Sequence, residues 1–268
     1  MVEIFDNIKK IYRFGAPCGE LADHIEFFSE SSAEQTALLS AGQNFQVKMF
    51  PSWTPTIWIN LGAPYQLELG SNSRLIGQEE DILLLRDDIA IRHNLPTDYI
   101  FSVKFFPGGL EAIFGINQAK MTGKHIDLRS ILPGRLIQAV KNTGAFDQRV
   151  ELLQNFFLQN FTRQKKKDHY IQLVRDSLDA YTAGGMQYNT SEIAGKIFTS
   201  SKTINRYFNN IVGTGPKKYF SIVRARMALT AYVAGKQTFL PEDFGYHDRS
   251  HFYKEMQKFT RQRLTAAP

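Results

Sequence analysis

The segment SSKTINRYFNNIVG, residues 200–213, predicts a short helix with two chemically different faces. Ser200 stands in a preferred N-terminal capping position, and Gly213 stands where a helix commonly ends. At about 100° per residue, one arc of this helix is apolar and the opposite arc is polar without an acidic residue. The apolar arc contains Ile204, Tyr207, Phe208 and Ile211, and the polar arc contains Lys202, Asn205, Arg206 and Asn209. Such a polar arc is typical of a helix that reads DNA.

The polar arc matches the hydrogen-bonding edges of DNA bases. Arginine can donate to both O6 and N7 of guanine, and asparagine pairs in a similar way with N6 and N7 of adenine. Arg206 and Asn205 are therefore candidate base-reading residues, and Lys202 suits either a base or a phosphate. An ordinary amphipathic surface helix is the alternative, but it gives no reason for a face without acids.

A second short helix is predicted directly before this segment. Asn189 and Glu192 form a variant of the capping box, which places a helix start near Thr190. The segment 198–201 interrupts this helix and begins the next one. Two short helices joined in this way have the organisation of a helix-turn-helix unit.

A long helix is predicted after the first unit. Pro216 opens it and Gly235 closes it, with about 19 residues between them. A helix of that length spans roughly 28 Å. It can therefore place two recognition helices near the spacing of one DNA turn, about 34 Å, on the same side of a duplex.

The segment FLPEDFGYHDRSHFYKEMQKFT, residues 239–260, predicts a second unit of the same kind. Asp248 caps a helix whose buried stripe is expected to contain Phe252, Met256 and Phe259. The second candidate reading face contains Arg249, Ser250, His251 and Lys254. Contact of Arg249 and Ser250 with phosphates alone is the alternative.

Charge divides the chain into two parts. Residues 163–268 contain 18 Lys and Arg against 8 Asp and Glu, whereas residues 1–162 contain 14 against 18. A positive excess on the scale of a domain is expected for a protein whose partner is rich in phosphates. A solvated basic surface is the alternative. The charged, non-periodic stretch 163–169 predicts an interdomain linker.

The N-terminal part predicts a small β-sandwich or barrel with flanking helices. Across residues 45–116, short runs rich in Ile, Val, Leu and aromatics are separated by Gly, Pro, Asn and Asp. Apolar residues in ELADHIEFF, residues 20–28, have helical spacing, and residues 128–161 predict further helix. The apolar face of 128–161 suits packing against the barrel or a dimer surface.

The C-terminal part resembles the AraC/XylS family of bacterial regulators over residues 170–265. The matching segments are SEIA (191–194), SSKTINRYF (200–208), GTGPKKYFSIVRARMA (213–228) and FGYHDRSHFYKEMQKFT (244–260). The resemblance implies two helix-turn-helix units on one connecting helix. It places the base-reading positions on Lys202, Asn205 and Arg206 in the first unit, and on Arg249, Ser250, His251 and Lys254 in the second. Ser201 joins this set as a candidate DNA-binding residue.

Two segments depart from the family pattern. Pro241 lies where the family has a helical residue, so the supporting helix of the second unit is predicted to be about one turn long and to start at the proline. The end of the chain, RQRLTAAP, lacks the family's Gly and Pro. The N-terminal part resembles a cupin-like β domain through NLG (60–62) and KFFPGG (104–109), and in relatives such domains bind small effectors or mediate dimerisation.

Candidate small-molecule contacts in the N-terminal part are few. Trp53, Trp58, Tyr99 and Phe101 could line an effector site inside the barrel, with plain core packing as the alternative. The three N-terminal histidines, His24, His93 and His125, are widely separated and form no His-x-His pair. Cys18 is the single cysteine, which excludes an intramolecular disulfide and suits a reducing compartment.

The sequence therefore predicts an α+β two-domain protein. Residues 1–162 form a β-rich sensor or oligomerisation domain, 163–169 a linker, and 170–268 an all-α double helix-turn-helix domain. The predicted function is a sequence-specific transcription regulator that reads adjacent major grooves. It is expected to be cytoplasmic, with no signal peptide or membrane span.

The predicted partners are double-stranded DNA, RNA polymerase, a small-molecule effector and a second copy of the chain. No catalytic residue, metal or cofactor is expected. Two alternatives are a cupin-like metal-dependent enzyme and an architectural DNA-binding protein without sequence preference. The first would need a set of metal ligands, and the second would bind all sequences equally.

Overall fold

The computed structural model describes residues 11–161, 165–235, 237–261 and 264. Its N-terminal part contains two antiparallel sheets, and its C-terminal part is helical. The predicted α+β fold class is therefore confirmed. Within the described ranges, no helix is both long and apolar enough to cross a membrane.

The N-terminal domain is a sandwich of two sheets. The strands are β1 (Tyr12–Gly15), β2 (Ile25–Ser31), β3 (Phe45–Met49), β4 (Pro55–Asn60), β5 (Tyr65–Leu69), β6 (Asn72–Ile76), β7 (Ile82–Leu85), β8 (Ala90–Asn94), β9 (Ile100–Phe105) and β10 (His125–Asp127). A six-stranded sheet has the order β1-β2-β9-β4-β7-β10, and a four-stranded sheet has the order β3-β8-β5-β6.

The six-stranded sheet is buried on both faces. In β7, Leu83 and Leu85 belong to the core under the helices, while Ile82 and Leu84 belong to the core between the sheets. Successive side chains of a strand point to opposite faces, so a strand covered on both sides is apolar throughout. The continuous run ILLL of β7 is the consequence.

The helix predicted from the spacing within residues 20–28 is wrong, because residues Ile25–Ser31 form strand β2. The register between β2 and β9 shifts between Ile25 and Phe27. This irregularity lets Ile25 and Phe28, three positions apart, both enter the helix-side core. A bulged strand thus reproduced the spacing of a helix.

In the described part of the N-terminal domain the α-helices are α1 (Ala33–Ser40), α2 (Gly109–Phe114), α3 (Gly134–Asn142) and α4 (Phe146–Asn160). The apolar face of α4 packs inward, with the ring of Phe157 lying 6.1 Å from that of Phe105. Packing within the domain therefore accounts for this face, and dimerisation stays a prediction. Gly109 is the first residue of α2. A Cβ added at this position would lie 2.0 Å from the carbonyl oxygen of His24, so only glycine fits there.

The C-terminal helices are α5 (Lys165–Ala183), α6 (Thr190–Lys196), α7 (Ser201–Tyr207), α8 (Pro216–Ala234) and α9 (Arg249–Thr260). A π-helical turn, Phe208–Val212, extends α7, and a 3-10 turn, Pro241–Phe244, precedes α9. Helix α5 already contains residues 165–169 of the predicted linker, and residues 162–164 lie outside the described residues. The domain boundaries themselves stay a prediction.

The two parts share one continuous hydrophobic core. The ring of Phe50, which follows β3, lies 5.4 Å from that of Phe259 on α9. Trp53 lies under the Lys218 ammonium of α8, at 4.7 Å. Helices α8 and α9 are thus packed against the sandwich.

Candidate DNA-binding surface

The first unit is formed by α6 and α7, and both of its predicted caps are present. Asn189 accepts hydrogen bonds from the amides of Ser191 and Glu192, and Glu192 accepts one from the amide of Asn189. Ser200 caps α7 by accepting a bond of 3.1 Å from the amide of Thr203. These bonds satisfy amides that the first turn of a helix leaves without partners.

The two faces of α7 are arranged as the sequence predicts. Ile204 and Phe208 are fully buried, and Ile211 is nearly so. The predicted reading residues Lys202, Asn205 and Arg206 are exposed, and Ser201 is half-buried. The structure therefore places three of these four residues together on one exposed face.

Local contacts hold the polar side chains of α7 along the helix. Arg206 Nη2 donates to Tyr207 Oη at 3.0 Å, and its guanidinium lies 4.8 Å from the Tyr207 ring centre. Tyr207 in turn contacts Tyr170 of α5, with ring centres 4.4 Å apart. Asn205 donates from Nδ2 to the backbone oxygen of Ser201 at 2.8 Å. Arg206 is thus held beside the helix by an aromatic pair.

The second unit follows the predicted pattern as well. Pro241 is buried at the start of its one-turn supporting helix. Asp248 accepts a bond of 2.7 Å from the amide of His251, and this backbone donor lowers the pKa of the Asp248 carboxyl. Phe252, Met256 and Phe259 are buried. The predicted contacts Arg249, Ser250, His251 and Lys254 are all exposed.

The acidic residue of α9 is turned away from this exposed face. Both carboxylate oxygens of Glu255 accept bonds of 2.9 Å from Arg224 Nη2 on α8. The Arg224 guanidinium also lies 4.6 Å from the Tyr246 ring centre. Arg224 therefore joins the connecting helix to the second unit, and the exposed face of α9 keeps its positive charge.

Sequence reasoning missed Gln118, one of the residues that join the first unit to the N-terminal domain. Gln118 is 1% exposed and donates from Nε2 to the backbone oxygens of Trp53 and Val212, each at 3.0 Å. Its Oε1 accepts a bond of 3.1 Å from the amide of Gly108. A single glutamine between a helix and a strand carries no sequence signal, because its three partners are 10, 65 and 94 positions away.

The four predicted effector contacts lie in different surroundings. Trp58 lines a cavity between the sheets, together with Arg86, Arg92 and Lys104. This cavity has a volume of about 30 Å³, which leaves room for roughly two water molecules. Trp53, Tyr99 and Phe101 do not line this cavity. Effector binding by the four residues stays a prediction.

The remaining three aromatic residues have structural partners. Trp53 lies at the junction with α8, and Phe101 packs on Phe28 and Phe146. Tyr99 Oη donates to Glu30 Oε1 at 3.2 Å and accepts a bond from Arg149. Among the described residues, no three His, Cys, Asp or Glu side chains come together as a metal site.

The C-terminal helices thus form two helix-turn-helix units joined by one rod of 19 residues. No family model matches the chain, and no curated protein matches it. Among solved structures, ToxT from Vibrio cholerae is similar at 14% identity and a TM-score of 0.48, over 82% of this chain and 95% of that one.

A structure of wild-type ToxT from strain SCE256 with bound unsaturated fatty acid gives 11% identity and a TM-score of 0.47, over 82% and 91% of the two chains. The AraC-like transcriptional activator CuxR is similar at 13% identity and a TM-score of 0.29, over 85% of this chain and 89% of that one. TM-scores below 0.5 at these identities assign neither a family nor a function. Any functional conclusion therefore rests on the geometry of this chain.

Proposed function

We propose that this protein is a sequence-specific DNA-binding transcription regulator of the AraC/XylS type. One observation carries the proposal: two short helices, α7 and α9, each present an exposed polar face without an exposed acid. Both helices are attached to the same rod, α8, whose 19 residues span about 28 Å. That length is close to the repeat of about 34 Å between successive major-groove faces of a duplex.

The proposed DNA contacts are Ser201, Lys202, Asn205 and Arg206 from the first unit, and Arg249, Ser250, His251 and Lys254 from the second. Arg206 and Asn205 read bases, because their side chains can pair with guanine and adenine edges. Lys254 acts at phosphate. Phosphate contacts set the position on the duplex, while base contacts supply the sequence preference.

Selection of DNA sites from a random pool by the full-length protein tests the proposal. A recovered motif with two half-sites about one helical turn apart is the expected result. Recovery of all sequences with equal affinity would instead indicate an architectural protein. Absence of binding at low salt would contradict the proposed function altogether.

The Lys254→Ala variant is expected to weaken binding to the selected site and to random DNA by the same factor. A lysine at phosphate releases counterions without reading sequence, so the slope of log affinity against log salt should fall by about one unit. Binding isotherms at several salt concentrations measure both quantities. Lys124→Ala, which removes an exposed lysine of the N-terminal domain, is the control and should leave the slope unchanged. A much larger loss on the selected site would show that Lys254 reads a base.

The N-terminal domain is proposed to be the regulatory module. Lys104 lines the small cavity beside Trp58, and its ammonium pairs with Glu26 at 3.0 Å. Glu26 also lies 3.7 Å from Arg226 of α8. Burial opposes ionisation of Glu26, but the charges of Lys104 and Arg226 outweigh it and lower the pKa of the Glu26 carboxyl to about 2. A small effector that displaces Glu26 from Lys104 would therefore act on the connecting helix.

The same proposal covers the cellular setting. A regulator of this kind acts on chromosomal DNA in the cytoplasm, contacts RNA polymerase and acts as a homodimer where its site has two-fold symmetry. Sedimentation with and without the selected DNA would measure the oligomeric state. A single protein copy on a symmetric double site would contradict the dimer.

A further inference from the structure

Phe198 lies in the turn between α6 and α7 and combines two unfavourable features. Its side chain is 97% exposed, whereas the next most exposed large apolar residue among those described, Leu38, is 68% exposed. Its φ angle is +53°. Few residues with a Cβ adopt this left-handed conformation without strain.

The turn has the hydrogen bonding of a Schellman motif. The amide of Thr199 donates to the carbonyl of Ala194 at 2.9 Å, which is the longer-range bond of that motif. The amide of Ile197 donates to the carbonyl of Ile193 at 3.1 Å and closes the last α-helical turn. Phe198 thus occupies the left-handed position after the helix, where glycine is preferred. The fold gains almost no burial from the ring, and glycine would adopt this conformation without strain, so neither packing nor backbone geometry accounts for the phenylalanine.

The charge around Phe198 indicates the chemistry of a partner at this turn. From Ile193 to Val212 the chain contains no acidic residue, while it contains Lys196, Lys202 and Arg206. Lys196 is the last residue of α6, the helix that ends just before Phe198, and its ammonium lies 4.5 Å from the Tyr188 ring centre. A positive surface of this kind attracts a polyanion.

We propose that Phe198 is a further DNA-contacting residue, whose ring packs against the duplex beside the first recognition helix. This inference rests on the proposed function. Phe198 lies two positions before Ser200, the capping residue of α7. Ser201 and Lys202 are in the first turn of that helix, next to Phe198 in the chain. The apolar contact is with deoxyribose or with a thymine methyl group, which phenylalanine side chains are known to touch.

Two substitutions separate the ring from the backbone conformation. Phe198→Gly and Phe198→Asn both remove the ring, and both residues tolerate a left-handed φ. The full-length variants are expected to melt at or above the wild-type temperature, because strain is relieved and no buried contact is lost. Their affinity for the selected site is expected to fall about five- to tenfold. Leu38→Asn, at an exposed apolar position of the N-terminal domain, is the control and should leave DNA affinity unchanged.

The outcomes are distinguishable. If the wild type binds no DNA, the proposed function fails; if the wild type binds and both Phe198 variants bind equally well, this inference fails. Unchanged DNA affinity with lost transcriptional activation would also overturn it, since the ring would then contact a protein. Replacing thymines of the site with uracil removes their methyl groups and identifies the contact. If this lowers the DNA affinity of the wild type but not that of Phe198→Gly, the ring contacts a methyl group. If the affinity of both proteins changes equally, the ring contacts deoxyribose.

Discussion

Arg206→Ala is expected to weaken binding to the selected DNA site by roughly 5- to 150-fold, or about 1–3 kcal/mol. The side chain is exposed on the acid-free face of α7, where a bidentate pair with guanine would be lost. Binding to random DNA should weaken far less, because non-specific binding depends on charge alone and only one positive charge is removed. Isotherms on both kinds of DNA, at several salt concentrations, give the two losses.

Two further variants decide how Arg206 acts. Arg206→Lys keeps the charge but not the planar fork, so it should restore binding to random DNA and leave the specific loss largely in place. Arg135→Ala removes an exposed arginine of α3 in the N-terminal domain and should change neither quantity. If Arg206→Ala weakens both kinds of DNA equally, Arg206 contacts the backbone, and the first unit does not read sequence through it.

The helical half of the molecule could be predicted closely because its signals are local. The caps at Asn189, Ser200 and Asp248 are each satisfied by residues two or three positions away. The buried and exposed arcs of α7 follow from a period of 3.6 residues. Even the one-turn helix at Pro241 follows from the missing amide of proline.

The errors arise where distant residues decide the structure. Strand β2 was predicted as helix because the bulge near Glu26 is set by its pairing with β9, about 75 positions further along the chain. The same limit applies to Phe198, since its left-handed conformation becomes visible only with the turn itself. Neither feature has a local sequence signal that distinguishes it from its neighbours.

The packing of the N-terminal part against the C-terminal part could not be predicted from the sequence. The sequence suggested two domains separated by a linker, but the structure joins them through one core and several polar contacts. The first unit is held by Gln118, and by Asn117, which donates to the backbone oxygen of Asn210 at 2.8 Å. The second is held by the packing of Phe259 on Phe50, and Arg261 pairs with Asp88 at 2.8 Å at the surface. The sandwich therefore fixes where both proposed reading helices stand.

Gln118→Met is expected to lower the free energy of unfolding by about 3 kcal/mol, because it leaves buried hydrogen-bonding groups without partners, at about 1–3 kcal/mol each. The groups are the carbonyls of Trp53 and Val212 and the amide of Gly108. Methionine has a similar length, so the change removes bonds more than volume. The melting temperature should fall by roughly 6–10 °C for a chain of this size. Thermal unfolding followed by circular dichroism measures the shift.

The effect should also be local to the first unit, which separates a clamp from a general loss of stability. Amide hydrogen exchange is expected to become faster across Phe208–Val212, because Val212 loses its bond to Gln118. Exchange in α9 should change little, because Phe259 and the following Arg261 still contact the sandwich. Affinity for the selected site should fall more than affinity for random DNA, since only the former needs both units in register. Gln138→Met, at an exposed position of α3, is the matched control. Uniform exchange changes across both units, or an unchanged melting temperature, would show that Gln118 does not position the first unit.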